Sequence, residues 1–352
     1  MKHVPALDGV RGMAILFVLG AHASASRLEF AGPTGVTVFF VLSGYLITSL
    51  LLMEDAQTGQ IRLLPFYARR ALRLYPALLL AVTGAWVLYA ATGQAEIENY
   101  WLDAVPTLLY LRDFMMAMGS SGFLFDHTWS LAVEEQFYLV WPVALIALIA
   151  LSARRVPLIA SVTIVAGLAL AWRVVSMFLY GPERVYFAPD TNAFALLAGC
   201  SLATVLYGRL QGRGSTILAL ASTAALAGIP VLVGFLTSNS WVARNWITLI
   251  TVCLAIVLLT AAPGTSFLES RILRWFGQIS YGLYLWHIVF LNLRIDGEPL
   301  RGWQRGAALG AAILVAWLSF RYFERPILRL KSRFSAPRPV SLDEGLGADP
   351  KS

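Results

Sequence analysis

Long apolar runs are the feature of this sequence that most restricts its fold. Segments near the ~20 residues that a helix needs to cross a bilayer recur along most of the chain. They give ten candidate spans, at ~10–28, ~34–54, ~74–93, ~129–151, ~157–179, ~191–208, ~215–236, ~245–262, ~276–294 and ~303–323. Charged residues make up only 13% of the chain, whereas a soluble domain is about a quarter charged. The sequence therefore predicts an all-α, polytopic membrane helical bundle of about ten transmembrane helices.

The distribution of basic residues predicts the orientation of this bundle. If the N-terminus is cytoplasmic, the inner connections carry 19 of the 27 lysines and arginines and the outer connections carry 8. Because cytoplasmic loops are enriched in these residues, the asymmetry favours ten spans with both termini in the cytoplasm. The net charge of +7 is then explained by orientation, and no nucleic-acid partner is expected.

One apolar segment is not counted as a span. Residues 99–118 include Asp103, Arg112 and Asp113, so we interpret the segment as interfacial or re-entrant on the outer side. A crossing there would reverse the orientation of everything that follows, and the charge asymmetry would largely vanish.

The chain is interpreted as a single membrane domain, residues 4–330, followed by a disordered cytoplasmic tail at 334–352 that is polar and rich in Pro and Gly. The first span also has features of a signal peptide, with "ASA" at Ala23–Ala25 as a cleavage site. Its removal would leave nine spans and spoil the charge asymmetry. Cys200 and Cys253 lie in apolar runs and fit packing roles, and no Cys/His cluster predicts a metal site.

The first span carries two ionisable residues, Arg11 and His22. Eleven positions make about three helical turns, so the two side chains share a face and lie ~16 Å apart along the axis. Taken singly, Arg11 also fits an anchor that snorkels to the headgroups, and His22 fits an interhelical hydrogen bond. Ionisable groups within spans usually face a cavity and carry function, and the shared face favours that interpretation for the pair.

Two further blocks follow along the chain. Ser43 and Gly44 are small, and we interpret them as a site of close helix packing. A basic cluster on the predicted cytoplasmic side is formed by Arg62, Arg69, Arg70 and Arg73. Planar guanidinium groups suit phosphate, although positive-inside orientation and anionic lipid also explain such a cluster.

The stretch "HTWSLAVEEQFYLVWP" places polar groups at another predicted helix. Thr128 or Ser130 is expected to cap that helix, with Glu134 and Glu135 in its first turn. Adjacent carboxylates project in different directions, so we expect only one of them to face a cavity. His287 lies within the ninth predicted span, where an aromatic belt explains its neighbours but not the histidine.

Five blocks in order carry a family resemblance: "LDGVRGMAILFVLGAH", "FFVLSGYLI", "RALR", "HTWSLAVEEQFYLVWP" and "SYGLYLWH". They resemble the acyltransferase-3 family of integral membrane acyltransferases, over roughly residues 4–330. The resemblance implies transfer of an acyl group, often acetyl, from cytoplasmic acyl-CoA to a hydroxyl of a sugar or related acceptor, in the bacterial cytoplasmic membrane. Many relatives add a C-terminal extracytoplasmic domain. About 30 residues follow the last predicted span, so a stand-alone enzyme is expected.

The resemblance also suggests roles for the donor-side residues. The phosphates of acyl-CoA, with acetyl-CoA as the first expectation, would bind Arg69, Arg70 and Arg73. Arg11, at the inner mouth, would hold the donor or its thioester end. No metal is expected.

His22 is the predicted general base on the acceptor hydroxyl, or a transient carrier of the acyl group. Glu134 or Glu135 would fix its tautomer, as a carboxylate does in a hydrolase triad. His127 and His287 are second choices for the base.

The acceptor is expected to be a carbohydrate or a glycosylated small molecule, but the sequence fixes neither its identity, nor the acyl chain length, nor the oligomeric state. A transporter or flippase of an acylated or glycosylated solute is the alternative, because it also needs buried charges. The sequence has no internal repeat and no paired broken helices, which argues against transport. A non-catalytic scaffold is disfavoured by the cost of histidines at membrane depth.

Overall fold

The computed structural model describes residues 4–23, 31–152, 157–207, 253, 256 and 267–330. Within these ranges the chain is almost entirely helical. The helices are α1 Pro5–Ala23, α2 Ala31–Thr58, α3 Leu63–Ala91, α4 Tyr100–Leu108, α5 Arg112–Ala117, α6 Trp129–Ser152, α7 Leu158–Tyr180, α8 Pro182–Phe187, α9 Pro189–Leu206, α10 Arg271–Leu291, α11 Trp303–Leu318 and α12 Arg325–Leu328. Short 3₁₀ segments precede α4, α6 and α10, and a π-helical turn, Ser319–Glu324, joins α11 to α12.

A small hairpin connects α10 to α11. Its strands, β1 Arg294–Ile295 and β2 Glu298–Pro299, are antiparallel, with Ile295 opposite Glu298. Asp296 and Gly297 between them both have positive φ, 52° and 78°. An Asp-Gly pair with positive φ at both positions is the preferred two-residue hairpin turn, so the local sequence specifies this connection.

Six helices of the described ranges are long and apolar enough to cross a bilayer: Pro5–Ala23, Ala31–Thr58, Leu63–Ala91, Asp126–Ser152, Leu158–Tyr180 and Trp303–Leu328. They confirm the predicted class, an all-α integral membrane protein. The total of ten spans and the cytoplasmic location of both termini remain predictions. Two of the predicted spans, ~215–236 and most of ~245–262, and the tail at 334–352 lie outside the described residues.

The helices meet closely where glycines face a neighbouring backbone. A Cβ atom on Gly12 of α1 would lie 2.0 Å from the carbonyl oxygen of Leu273 on α10. One on Gly44 of α2 would lie 1.9 Å from the carbonyl oxygen of Leu196 on α9. Such contacts exclude any side chain at these positions, as is typical of close packing between membrane helices. The predicted packing role of Gly44 is confirmed, and α1 is held between α2 and α10.

The segment 99–118 forms the two short helices α4 and α5 and makes no continuous span. Its charges are paired: the Nη2 atom of Arg112 lies 2.7 Å from Oδ1 of Asp103 and also pairs with Asp126. Arg112 is only 1% exposed, and a buried charge is tolerated when it is paired and hydrogen-bonded. This ion-pair clamp fixes the start of the 3₁₀ turn that precedes α6.

The carboxylate of Asp113, next to Arg112 in the sequence, has fewer hydrogen-bond partners. Oδ1 of Asp113 accepts a hydrogen bond of 3.0 Å from the side-chain amide of Gln136, but Oδ2 is buried without a partner. Burial raises the pKa of Asp113 from 3.8 to about 6. The folded protein therefore keeps a proton there that the unfolded chain loses, and its stability falls as the pH rises through this interval.

Replacing Asp113 by asparagine is expected to remove this pH dependence. Asparagine keeps the acceptor for Gln136 and carries no charge. The melting temperature of the variant in detergent should exceed that of the wild type at about pH 7.5, and the difference should vanish below about pH 4. If the difference in melting temperature between variant and wild type is the same at both pH values, Asp113 is not the titrating group.

Candidate active site

Three cavities lie in series beside α1. The first, here called the arginine cavity, has a volume of about 670 Å³. Its polar lining includes Arg11, Glu54, Arg62, Arg69, Arg70 and Arg73. Asp8 lines it as well. A space of this size, lined by five guanidinium groups and two carboxylates, has room and positive charge for an anion larger than a simple phosphate.

The second, the middle cavity, is a constriction of about 50 Å³. It shares Arg11, Arg70 and Arg73 with the arginine cavity and adds the two carboxylates Glu134 and Glu135. Hydroxyl groups complete its wall: Ser43, Tyr110, Ser130, Ser280, Tyr281 and Tyr284.

The third, the histidine cavity, has a volume of about 260 Å³. Its wall contains the imidazoles of His22 and His127 and the aromatic rings of Trp129, Tyr186 and Tyr284. Tyr284 also lines the middle cavity, so the histidine cavity and the middle cavity adjoin at this residue.

The predicted phosphate-binding arginines have different surroundings. Nη2 of Arg69 lies 3.2 Å from a carboxylate oxygen of Glu54, which also pairs with Arg62. Arg70 stacks on the ring of Tyr138 at 3.6 Å from its centroid. Arg73 lies close enough to Arg11 for the two positive charges to repel each other. An anionic ligand between Arg11 and Arg73 would relieve that repulsion.

The structure confirms that Arg62, which the sequence placed in the basic cluster, lies with Arg69 at this cavity, because both pair with Glu54. Sequence reasoning did not single out Glu54 or Tyr138.

Glu134 and Glu135 do not occupy the positions on α6 that the sequence predicted. The helix begins at Trp129, so Glu134 and Glu135 lie beyond its first turn and do not interact with its N-terminus. Both line the middle cavity, although only one was expected to face it. Neighbouring residues lie only about 100° apart around a helix, so two long side chains such as these can reach the same cavity.

Glu134 is held by two hydroxyl groups and makes no contact with His22. Ser43 donates to its Oε1 atom at 2.5 Å, and the hydroxyl of Tyr138 donates to the same oxygen. Glu135 lines the middle cavity, whereas His22 lines the histidine cavity, so among the described contacts the structure pairs neither carboxylate with the His22 ring. Ser43, expected to serve packing alone, joins α2 to α6 through this bond.

The ring of His22 instead faces His287. Nδ1 of His22 lies 3.2 Å from Nε2 of His287. Nδ1 of His287 lies 2.7 Å from the carbonyl oxygen of Tyr284 and 3.2 Å from that of Leu283. Carbonyls only accept, so Nδ1 of His287 carries its proton and Nε2 is the acceptor of a neutral ring. Nδ1 of His22 must then be the donor, which leaves the lone pair on its Nε2 atom.

The two histidines differ in how deeply they are buried. His287 is 0% exposed, and a fully buried imidazole is favoured in its neutral form. His22 is an exposed residue at the end of α1, in the wall of the histidine cavity. The pair therefore combines a neutral buried ring, which orients, with an accessible ring that has a free lone pair.

Arg305 anchors the backbone that carries His22. Its Nη2 and Nε atoms donate to the carbonyl oxygens of His22 at 2.6 Å and of Ala23 at 3.1 Å. A cation is favourable at a helix C-terminus, where the last carbonyls are unpaired. Sequence reasoning assigned Arg305 only to an outer connection and gave no signal of this contact.

Comparison with known proteins identifies relatives over nearly the whole chain. A family model described as "Acyltransferase domain" matches residues 4–321. Peptidoglycan O-acetyltransferase OatA of Listeria monocytogenes is 31% identical over 351 residues, covering 93% of this chain and 56% of the relative. The putative peptidoglycan O-acetyltransferase YrhL of Bacillus subtilis is 31% identical over 93% of this chain and 55% of its own.

O-acetyltransferase OatA of Staphylococcus aureus is also 31% identical, over 93% of this chain and 57% of its own length. The chain thus spans about half the length of these curated relatives. No solved structure matches it. The match of the family model over most of the sequence, on a helical membrane scaffold that brings the arginine and histidine blocks beside α1, places this chain in the acyltransferase-3 family.

Proposed function

We propose that this chain is an O-acyltransferase of the bacterial cytoplasmic membrane. It moves an acyl group, acetyl as the first expectation, from cytoplasmic acyl-CoA to a hydroxyl of a carbohydrate acceptor. The observation that supports the proposal best is the series of three adjoining cavities, which has a cluster of guanidinium groups at one end and an accessible imidazole at the other. The names of the relatives, which are peptidoglycan O-acetyltransferases, support the carbohydrate acceptor.

The donor would lie with its phosphates in the arginine cavity, against Arg69, Arg70 and Arg73. Arg11, which lines both the arginine cavity and the middle cavity, would hold the donor or its thioester end there. Arg11 and His22 are eleven residues apart on α1, ~16 Å along its axis. The pantetheine arm of CoA is an extended chain of this order of length, so it can carry a thioester from the guanidinium groups toward His22.

The transfer itself needs one base. Nε2 of His22 takes the proton of the acceptor hydroxyl while the hydroxyl oxygen attacks the thioester carbonyl carbon. The carbon–sulfur bond breaks, and the imidazolium returns the proton to the departing CoA thiolate. Glu134 and Glu135 balance the arginines in the middle cavity and help to position the arm.

Replacing Arg73 by alanine tests the donor site. The KM for acyl-CoA is expected to rise at least tenfold, because a hydrogen bond to a charged group contributes about 1.5–3 kcal/mol. The KM for the acceptor should stay within about twofold, since the residue lies far from the histidine cavity. Lysine should restore only part of the affinity, because it lacks the planar fork.

Labelled acyl-CoA and the full chain in lipid nanodiscs provide the measurement, with CoA release read by a thiol reagent. Arg321→Ala is the matched control, because Arg321 is exposed and lines none of the three cavities. If the wild type transfers no acyl group from acyl-CoA to any glycan, the proposed acyltransferase function is wrong. Movement of a solute across the bilayer without acyl transfer would favour the transporter.

A further inference from the structure

One carboxylate binds two of the guanidinium groups in the wall of the arginine cavity. Oε1 of Glu54 lies 3.2 Å from Nε of Arg62, and its Oε2 atom lies 3.2 Å from Nη2 of Arg69. All three residues line the cavity, and the Glu54 side chain is only 11% exposed. Phosphate oxygens bind the same guanidinium N–H groups as a carboxylate does. A phosphate group at this position would therefore have to displace Glu54.

The short connection between α2 and α3 fixes this contact. Glu54 lies near the end of α2, where Oγ1 of Thr58 is 2.8 Å from the backbone carbonyl oxygens of Glu54 and of Gln60. Arg62 directly precedes α3. Arg69 follows seven residues later, about two helical turns, so both arginines lie on one side of α3. The local sequence thus places one acidic and two basic side chains together.

The other arginines lie where the arginine cavity adjoins the middle cavity. Arg11, Arg70 and Arg73 line both spaces. In CoA the diphosphate is attached directly to the pantetheine arm. An arm that enters the middle cavity therefore leaves its diphosphate beside Arg70 and Arg73, at the boundary between the two cavities.

The third phosphate of CoA, on the 3′ carbon of the ribose, lies on the other side of the diphosphate from the arm. Arg69 precedes Arg73 by four residues, ~6 Å along the axis of α3, a spacing that one ribose ring bridges. The arginine cavity, with a volume of about 670 Å³, has room for the nucleotide. A donor with its diphosphate at Arg73 thus carries its 3′-phosphate toward the pair that Glu54 holds.

We propose that Arg62 and Arg69 form the subsite for the 3′-phosphate of CoA, and that Glu54 is a specificity-determining residue that occupies this subsite until the 3′-phosphate displaces it. This assignment rests on the proposed function. Because the two arginines exchange one anion for another, the 3′-phosphate adds little to the affinity of the wild type. Glu54 thereby lets the site bind CoA and dephospho-CoA, which lacks this phosphate, with similar affinity.

Equilibrium binding of CoA and of dephospho-CoA tests the assignment without any turnover. The Kd of each nucleotide is measured by calorimetry on the full chain in nanodiscs, at constant ionic strength. For the wild type, the two values should agree within about threefold. In Glu54→Gln we expect CoA to bind about tenfold more tightly, because the 3′-phosphate gains a charge-assisted contact without displacing a carboxylate. The Kd of dephospho-CoA should stay within about twofold of the wild type.

Asp55→Asn is the matched control, because it removes the same charge at the next position, which lines none of the three cavities. It should change neither Kd by more than about twofold. Equal changes for both nucleotides in Glu54→Gln, or the same gain in Asp55→Asn, would overturn the assignment of Glu54. So would a wild type that already binds CoA more than about tenfold more tightly than dephospho-CoA, a result that needs no variant. If the wild type binds neither nucleotide, the proposed donor is wrong as well.

Discussion

Alanine in place of His22 is expected to reduce kcat by about 10³-fold or more, because general acid–base catalysis by a positioned side chain contributes about 10²–10⁴-fold. The residue is exposed at the end of α1, so the substitution leaves no buried cavity and the fold should be unaffected. The KM for acyl-CoA should change little, because the arginine cavity is untouched. Acyl transfer from labelled acyl-CoA, measured on equal amounts of inserted protein, checks the result.

The chain has its own control for this experiment. The sequence has four histidines, and the proposed mechanism gives the first of them, His3, no role. His3→Ala should therefore retain activity within about twofold of the wild type. If correctly inserted His22→Ala protein turns over normally, the ring takes no part in the chemistry.

Substitution of His287 is expected to have the second-largest effect. Leucine removes the His287 acceptor for Nδ1 of His22. The ring then keeps only its backbone contact with Val18 and is free to turn away from the cavity. We expect kcat to fall about 10²-fold. This is less than the loss of about 10⁴-fold when a hydrolase triad loses its carboxylate, because a neutral imidazole stabilises an adjacent imidazolium less than a carboxylate does.

A glutamine at position 287 tests whether His287 acts by orienting the His22 ring or only by packing within α10. Its side-chain oxygen can accept from Nδ1 of His22, so His287→Gln should recover activity to within about tenfold of the wild type. The KM values for both substrates should stay constant in the two variants, since only kcat depends on the orientation of the base. Phe290→Leu, on the same helix and outside the three cavities, controls for general loss of packing in α10. Equal activity of the leucine and glutamine variants would contradict the role of His287.

The sequence predicted the helical class because the apolar runs are long and few charges interrupt them. It also predicted that residues 99–118 do not cross, since three charges in a short apolar segment are too costly in lipid. It did not predict how these charges are satisfied. Arg112 pairs with Asp103 and with Asp126, and the second of these contacts depends on a tertiary arrangement that periodicity does not encode.

Prediction of the site was partial for a similar reason. Helical spacing alone placed Arg11 and His22 on one face, and the structure locates them in the walls of successive cavities. The partner of His22 could not be derived, because a carboxylate and an imidazole are both chemically suitable for it. The contact depends on how α10 crosses α1. Glycines at this crossing let the two backbones approach closely and so set the distance between the helices.

The narrowness of the middle cavity has a consequence for the cell. A continuous aqueous pore beside α1 would let protons run down their gradient whenever the enzyme was idle. A space of 50 Å³ holds few waters, so the middle cavity has no wide column of water through which protons could pass. In the proposed reaction the thioester arm of the donor would fill this space, and when no donor is bound its small volume would limit proton leakage across the membrane.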